Sequence, residues 1–418
     1  MRLVRVAGLA LILASVVASA SAAGWTRCPD VTGLPSGKQV KGGGGIAAVE
    51  DVVYLIPGDN TLDFMKYDGV AWAPIVPGVP EGAKKKRVKK GAWLVSADNK
   101  VYVFKGGGTN EFYQYDPSTN TWATLVGPGF TKGVKGGFAT VVSLAGTKYI
   151  YAGSGSNTSE WKRFNLSTLA WEAASPASLP VEKAKVGSCL VTDETGVVYF
   201  LLGNGSNVNS FYAADLNQVT PAWAPKTPLP MTVPGGKGKK KVKEGGCIEN
   251  LGGTFYAVKG GSTTQFWSYL PATDAWTYVG EVGDGGATKG IKCGKSLATG
   301  KTGVFAIIGN NTPGFWYYSP VFNMGHGSDP AAMTGAVAPR ATHMRLTPNP
   351  ARAGAGVACA LPEAQVATFE VRNTLGQVVA TATSQDGRFL IQDLVPGVYT
   401  LSVEAPGFQE QEKLVVLK

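Results

Sequence analysis

The sequence is poor in the residues from which most catalytic and metal chemistry is built. It holds two histidines, five cysteines and six methionines among 418 residues, and only 16% of its residues are charged. The histidines, His326 and His343, have no metal-ligand spacing and no nucleophile–base arrangement around them. They are read as solvated linker residues, so neither a catalytic group nor a metal ligand is assigned. The cysteines, Cys28, Cys189, Cys247, Cys293 and Cys359, are odd in number and match no zinc pattern. The body must therefore stand on core packing, with its thiols buried singly. Scarce charge argues against long solvent-exposed helices, and no apolar run beyond residue 23 is long enough to span a bilayer.

What is abundant is glycine and proline, 56 and 25 residues, with 44% hydrophobic residues. That mixture predicts short strands joined by tight turns. The first 23 residues read as a signal peptide. Arg2 and Arg5 precede an apolar run over Val6–Val17 and the small residues Ala18–Ala23.

Self-comparison yields a repeat. Six copies each open on lysine, one residue, then glycine, at Lys41, Lys89, Lys135, Lys185, Lys243 and Lys292, spaced by 48, 46, 50, 58 and 49 residues. An aliphatic residue usually precedes the lysine (Val40, Val88, Val134, Val242, Ile291; Ala184 is the exception). Downstream comes a β-rich run ending at glycine, such as Val101–Gly106, then an aromatic run such as Phe112–Asp116, then a turn and a tryptophan strand such as Thr121-Trp122-Ala123. The unit is four short strands, A to D, without helical periodicity. Late tryptophans are Trp72, Trp122, Trp171, Trp223 and Trp276, five for six copies. Trp25 precedes Lys41 by 16 residues, as Trp276 precedes Lys292. The N-terminal strand is therefore expected to complete the last copy and close a ring. A four-stranded unit cannot bury both faces alone; copies packed radially can.

The glycine-ended second strand, aromatic third strand and late tryptophan resemble kelch repeats over residues 25–320. That resemblance implies a six-bladed β-propeller, although only some copies keep the family's glycine pair (Gly106-Gly107, Gly260-Gly261). Copper-oxidase relatives need ring histidines, and this ring has none. Sialidase-type propellers need an arginine cluster, and the repeats hold only Arg27, Arg87 and Arg163.

The expected organisation is all-β: signal peptide 1–23, propeller 24–320, linker 321–344, and a small Ig-like β-sandwich over 345–418. In the last segment, strands are predicted at Val357–Leu361, Thr368–Asn373, Val378–Ser384, Arg388–Gln392, Val398–Glu404 and Lys413–Leu417. Thr347-Pro348-Asn349-Pro350, Asn373-Thr374-Leu375-Gly376-Gln377, Leu394-Val395-Pro396-Gly397 and the terminal Lys413–Lys418 follow one another in the order seen in C-terminal sorting domains of type IX secretion cargo. That resemblance implies the type IX machinery as a partner of residues 345–418 and a secreted or cell-surface location.

The lysines are the functional lead. In a blade, the Lys-x-Gly element shares a face with the B–C turns, so Lys41, Lys89, Lys135, Lys185, Lys243 and Lys292 should surround one mouth. Basic inserts Lys84–Arg87 and Lys239–Lys241 should stand opposite each other across it. Neighbouring ammonium groups about 10 Å apart in water repel by roughly 0.4 kcal/mol. One reading is a non-catalytic binding face for an acidic glycan, a surface polymer or a protein. The other is that each lysine bonds carbonyls of its own or the adjacent blade and recurs because the blade recurs. A secreted polysaccharide-acting enzyme with paired carboxylates at the mouth, and a structural surface-layer component, are the alternative functions. Asp116 and Asp274 are read as turn-formers bonding their own backbone. No cofactor is implied. Nucleic acid is not expected as a partner, because the basic stretches lack interleaved aromatics.

Overall fold

The computed structural model describes residues 24–205, 207–283, 289–301 and 303–320. It also describes C-terminal stretches 345–347, 351–352, 357–360, 367–373, 377–384, 388–391, 395–405 and 408–417. The signal-peptide and linker readings, and both histidines, lie outside these residues. The chain divides into two compact units near residue 330.

The first unit is six four-stranded antiparallel sheets, one per repeat copy. Each runs A-B-C-D in sequence order, as the short loops between antiparallel neighbours require. The sixth differs. Its strands A to C are Leu297–Thr299, Val304–Ile307 and Phe315–Ser319, and its fourth strand is Gly24–Arg27, pairing Trp25 with Tyr318 and Arg27 with Trp316. The N-terminal strand thus completes the last sheet, as the spacing of Trp25 predicts.

The A strands are Gly45–Val49, Trp93–Ala97, Phe138–Leu144, Cys189–Thr192, Cys247–Leu251 and Leu297–Thr299. Each packs against the A strand before and after it, and the sixth packs against the first. The sheets therefore form a closed cycle with the A strands innermost.

The late tryptophans fasten this cycle. Each late indole packs on an aromatic at or near the start of strand C of the preceding sheet. Ring centroids lie at 4.9 Å for Trp72–Phe315 and Trp122–Phe64, 5.4 Å for Trp171–Phe112 and 5.3 Å for Trp223–Trp161. The separation is 5.2 Å for Trp276–Phe211 and 4.8 Å for Trp25–Phe266. Five of the indole N–H groups also donate to a carbonyl beyond strand C of the preceding copy, from Trp72 to Pro29, Trp122 to Pro77, Trp171 to Val126, Trp223 to Ser178 and Trp276 to Thr227, at 2.8–3.1 Å. Aromatic pairs of this kind contribute about 0.5–1.5 kcal/mol beyond area burial. A tryptophan recurs because a smaller ring could not both pack and reach the carbonyl.

The aliphatic residue before each lysine has a comparable task. Val88, Val134, Ala184 and Ile291 are buried and form isolated bridges to Thr61, Thr109, Thr158 and Thr263 in the B–C turn of the preceding copy. In three of these turns the threonine hydroxyl bonds back to the opening glycine's carbonyl, as Thr109 does to Gly106 at 2.9 Å, while the Thr158 hydroxyl meets that of Ser154. Of the turn-forming aspartates, Asp116 accepts from the backbone N–H of Ser118 at 2.9 Å, as expected. Asp274 instead accepts from Thr227 N–H at 3.0 Å and the Tyr269 hydroxyl at 2.7 Å. It clasps the neighbouring sheet at the same residue that receives the Trp276 indole.

The second unit holds a three-stranded sheet (Arg345–Thr347, Val357–Ala360, Arg388–Ile391) and a five-stranded sheet. The latter comprises Ala351–Arg352, Ala367–Asn373, Val378–Ser384, Gly397–Ala405 and Phe408–Leu417. All six predicted strands are present; Arg345–Thr347 and Ala351–Arg352 are additional. Ala351–Arg352 pairs in parallel with Val416–Leu417, so the unit is not wholly antiparallel. Phe369, Val371, Leu401, Val403 and Leu414 form its buried face.

Candidate functional site

The repeated Lys-x-Gly element works first through its backbone. The N–H groups of Lys41, Lys89, Lys135, Lys243 and Lys292 donate to the carbonyls that end strand B (Pro57, Lys105, Ser154, Lys259 and Ile308) at 2.9–3.4 Å. The carbonyls of Lys41, Lys89, Lys185 and Lys243 accept from the residue three positions on, closing a turn at 2.7–3.1 Å. The glycine of that turn has φ of +83° at Gly43, +88° at Gly91, +89° at Gly187 and +90° at Gly245. At Gly43, Gly91 and Gly187 it also lies directly on the next copy's lysine backbone: a Cβ on Gly43 would sit 2.1 Å from the Lys89 carbonyl oxygen. Glycine is required there twice over, by conformation and by close approach.

The lysine stems lie on the glycine-rich B–C turns, the shared face the sequence suggests. A Cβ on Gly107 would meet the Lys89 stem at 3.3 Å, and one on Gly261 the Lys243 stem at 3.0 Å; Gly108 would meet Lys135 Cε at 3.1 Å. Lys89, Lys135, Lys243 and Lys292 are exposed, while Lys41 and Lys185 are half-buried. Among the described residues only Lys41 pairs its ammonium with an acid, Asp59, at 3.4 Å. None of the six ammonium groups bonds a carbonyl of the described residues.

Between these lysines the cycle is pinched shut. Gly43, Gly91, Gly136, Gly187, Gly245 and Gly294 line a void of only about 10 Å³, together with Glu244. Lys90 of copy two reaches Glu244 of copy five, Nζ to Oε2 at 3.0 Å, joining copies three steps apart across the neck.

Two further lysines are buried between sheets. Lys105 pairs with Glu111 at 3.1 Å and donates to the carbonyls of Pro80 and Glu81. Lys259 donates to Gln265 Oε1 at 2.8 Å and lies 4.8 Å from the Trp267 ring centroid. Burial lowers its pKa to about 8. Cys28, Cys189, Cys247 and Cys293 are unpaired. Burial pushes the Cys28 and Cys247 thiols up to about 12 and those of Cys189 and Cys293 well above their usual value. These thiols are packing groups, not nucleophiles.

Sequence reasoning missed a cavity of about 500 Å³ inside the cycle, on the A–B turn side of the neck. Strand A residues of copies two to five line it, with Lys295 from copy six. Glu249 and Lys295 form an ion pair there at 2.5 Å, and Lys295 also donates to the Leu297 carbonyl at 3.0 Å. Asn250 on the same wall donates to the Thr192 carbonyl at 3.0 Å and to Glu194 Oε1 at 3.3 Å. The signal was present in the repeat. Three residues after the opening lysine the copies carry Gly44, Ala92, Phe138, Ser188, Gly246 and then Lys295. Six residues after it they carry Ala47, Val95, Val141, Val191, Glu249 and Ala298. Two adjacent copies depart from the pattern with opposite charges.

Charge is also divided between the two ends. The connections on the lysine side carry Lys84–Arg87, Lys132, Lys183 and Lys239–Lys241, against Glu81 and Glu182. The opposite turns carry Glu50, Asp51, Asp68, Asp98, Asp193 and Glu194, with Lys301 paired to Glu50 and Lys148 to Asp98. Among the described residues no cluster of three His, Cys, Asp or Glu could hold a metal. No helix among them is long and apolar enough to cross a membrane.

No curated protein matches the sequence. Among solved structures the chain is similar to a structural-genomics protein of unknown function from Bacteroides thetaiotaomicron (TM-score 0.48, 15% identity, covering 70% of this chain and 73% of that one). It is also similar to YjhT (TM-score 0.47, 15% identity, 68% and 95%). A third is PorZ, described as an essential bacterial surface component of the type IX secretion system of Porphyromonas gingivalis (TM-score 0.36, 13% identity, 90% and 51%). The chain thus spans about half of PorZ. The one family identified concerns the C-terminal unit alone, where residues 359–418 match the carboxypeptidase regulatory-like domain.

Proposed function

We propose that the six sheets are the blades of a kelch-like propeller, exported by the type IX route and serving as a non-catalytic binding protein for an anionic polymer, an acidic glycan above all. The observation carrying this reading is the lysine face itself. Four exposed ammonium groups (Lys89, Lys135, Lys243, Lys292) have no acidic partner among the described residues, and the neck between them leaves a void of only about 10 Å³. A face that is basic and closed suits a polymer lying across it better than a small molecule entering it. The basic inserts of copies two and five extend the same face on opposite sides of the neck. Surface charges of this kind attract polyanions in a salt-dependent way.

The test is binding of a uronic-acid or sulfated polysaccharide to the whole chain at two salt concentrations. Two lysine contacts at about 1 kcal/mol each in water correspond to a loss of roughly 30-fold for Lys89→Ala with Lys243→Ala. Binding that neither salt nor the double substitution changes overturns the reading. Export is tested separately. The order of the four C-terminal motifs supports a sorting domain, and a chain lacking residues 345–418 should accumulate in the periplasm. Export of the truncated chain to the surface or medium removes that part.

A further inference from the structure

We propose that the cavity on the A–B turn side is a second binding site, for a neutral polyhydroxylated small molecule, a mono- or disaccharide, with Glu249 and Lys295 as its recognition pair.

The argument begins with what the fold does not need. The repeat has small or apolar residues at these two places in all of its other copies. Lys295 is 4% exposed. Burying a charge is costly, and even a well-made buried pair is often no more stabilising than apolar residues of similar volume. Two departures from the repeat, in adjacent copies and of opposite sign, meet on one cavity wall. That is the pattern of a site rather than of a core.

The pair leaves bonding capacity directed at a ligand. Lys295 uses two of its three protons, on Glu249 and the Leu297 carbonyl. Glu249 accepts through Oε1, and its Oε2 has no protein partner among the described residues. A carboxylate oxygen accepts from one hydroxyl of a vicinal diol, and the ammonium beside it donates to the neighbouring hydroxyl. Thr140, Ser96 and Thr192 add hydroxyls on the other walls, and Val141 and Val191 add apolar surface for a sugar's carbon face. About 500 Å³ lies within the range of small-molecule pockets.

Charge decides against an anion. Lys295 is already neutralised by Glu249, and Glu194 adds a second carboxylate to the lining. The selectivity is therefore opposite to that of the lysine face.

The experiment is saturation-transfer NMR and calorimetry on the whole chain with glucose, galactose, N-acetylglucosamine, a β-linked disaccharide of glucose, and glucuronic acid. At least one neutral sugar should bind, more tightly than glucuronic acid. Glu249→Gln should weaken that binding tenfold or more. Because Glu249→Gln leaves Lys295 buried without its partner, the uncharged pair Glu249→Gln with Lys295→Gln and the wall variant Thr140→Val are measured beside it. Both should fold and lose sugar binding. Lys89→Ala with Lys243→Ala should leave sugar binding unchanged, which separates this site from the lysine face. The proposal is overturned if no neutral sugar in the set binds, if glucuronic acid binds best, or if folded cavity variants bind as the native chain does.

Discussion

Replacing Trp25 with alanine tests whether the cycle is closed by its first strand. The indole touches the Phe266 ring at 4.8 Å and the Tyr318 ring at 5.2 Å. Two such contacts contribute about 1–3 kcal/mol together. Half-burial of the indole removes roughly another 100 Å² of apolar surface from water, about 2.5 kcal/mol at 25 cal/mol per Å². Relaxation of the neighbouring rings offsets part of this, which leaves a loss of about 3 kcal/mol, the low end for Trp→Ala in a core. Urea unfolding of the native chain, Trp25→Ala, Trp25→Phe and Trp122→Ala, followed by circular dichroism, measures it. Trp25→Ala should fall by about as much as Trp122→Ala, and Trp25→Phe should recover around half. Val219→Ala, at a fully exposed side chain, should stay within about 0.5 kcal/mol. A cost below 1 kcal/mol at Trp25, beside 3 kcal/mol at Trp122, would refute closure by this strand.

Other predictions follow from the neck and the titrating groups. Gly91→Ala forces a Cβ to 2.2 Å from the Lys135 carbonyl carbon at φ +88°, and should cost about 2–5 kcal/mol in the same assay. Gly253→Ala, with φ +85° but open space around it, should cost only about 1–2 kcal/mol. Lys259 is held at about pKa 8 in the fold against 10.5 as its ordinary value. Below pH 8 both folded and unfolded chains carry its proton. Between pH 8 and 10 the unfolded chain binds more, so stability should rise with pH there, and Lys259→Met should abolish the rise. Asp116 is held at about 2 by Lys100 and Ser118, so the stability it contributes is lost as pH falls below about 4. NMR titration of Asp116 in Lys100→Met should find its pKa moved back toward 3.8.

The parts of the fold legible in the sequence are those that repeat. Four strands per copy, the shared face of the lysines and B–C turns, and the place of Trp25 all follow from spacing, because each copy meets the same neighbour in the same way. The reason for the lysine-glycine spacing was less visible. It lies in the approach of Gly43 to the Lys89 carbonyl, a contact between copies that spacing within a copy does not reveal. Asp274 was misread for the same reason, since its partner Thr227 lies 47 residues away in the preceding sheet. The cavity pair was hidden in a different way. Glu249 and Lys295 are marked by failing to repeat, so a search for similarity passes over them. The Lys90–Glu244 contact depends on the width of the neck, which only the assembled cycle defines.

That last contact has a mechanical consequence. A hoop of six units, each held only to its neighbours, deforms most easily by flattening into an oval. Lys90 and Glu244 act as a spoke along one diameter, between copies two and five, and resist widening along that line. The spoke is soft, because Lys90 is more than half exposed and such a pair contributes at most about 1 kcal/mol. It therefore steadies the hoop's outline without adding much strength. Its stiffness varies with ionic strength, and any polyanion that draws Lys90 outward slackens the hoop along the diameter its two basic inserts share.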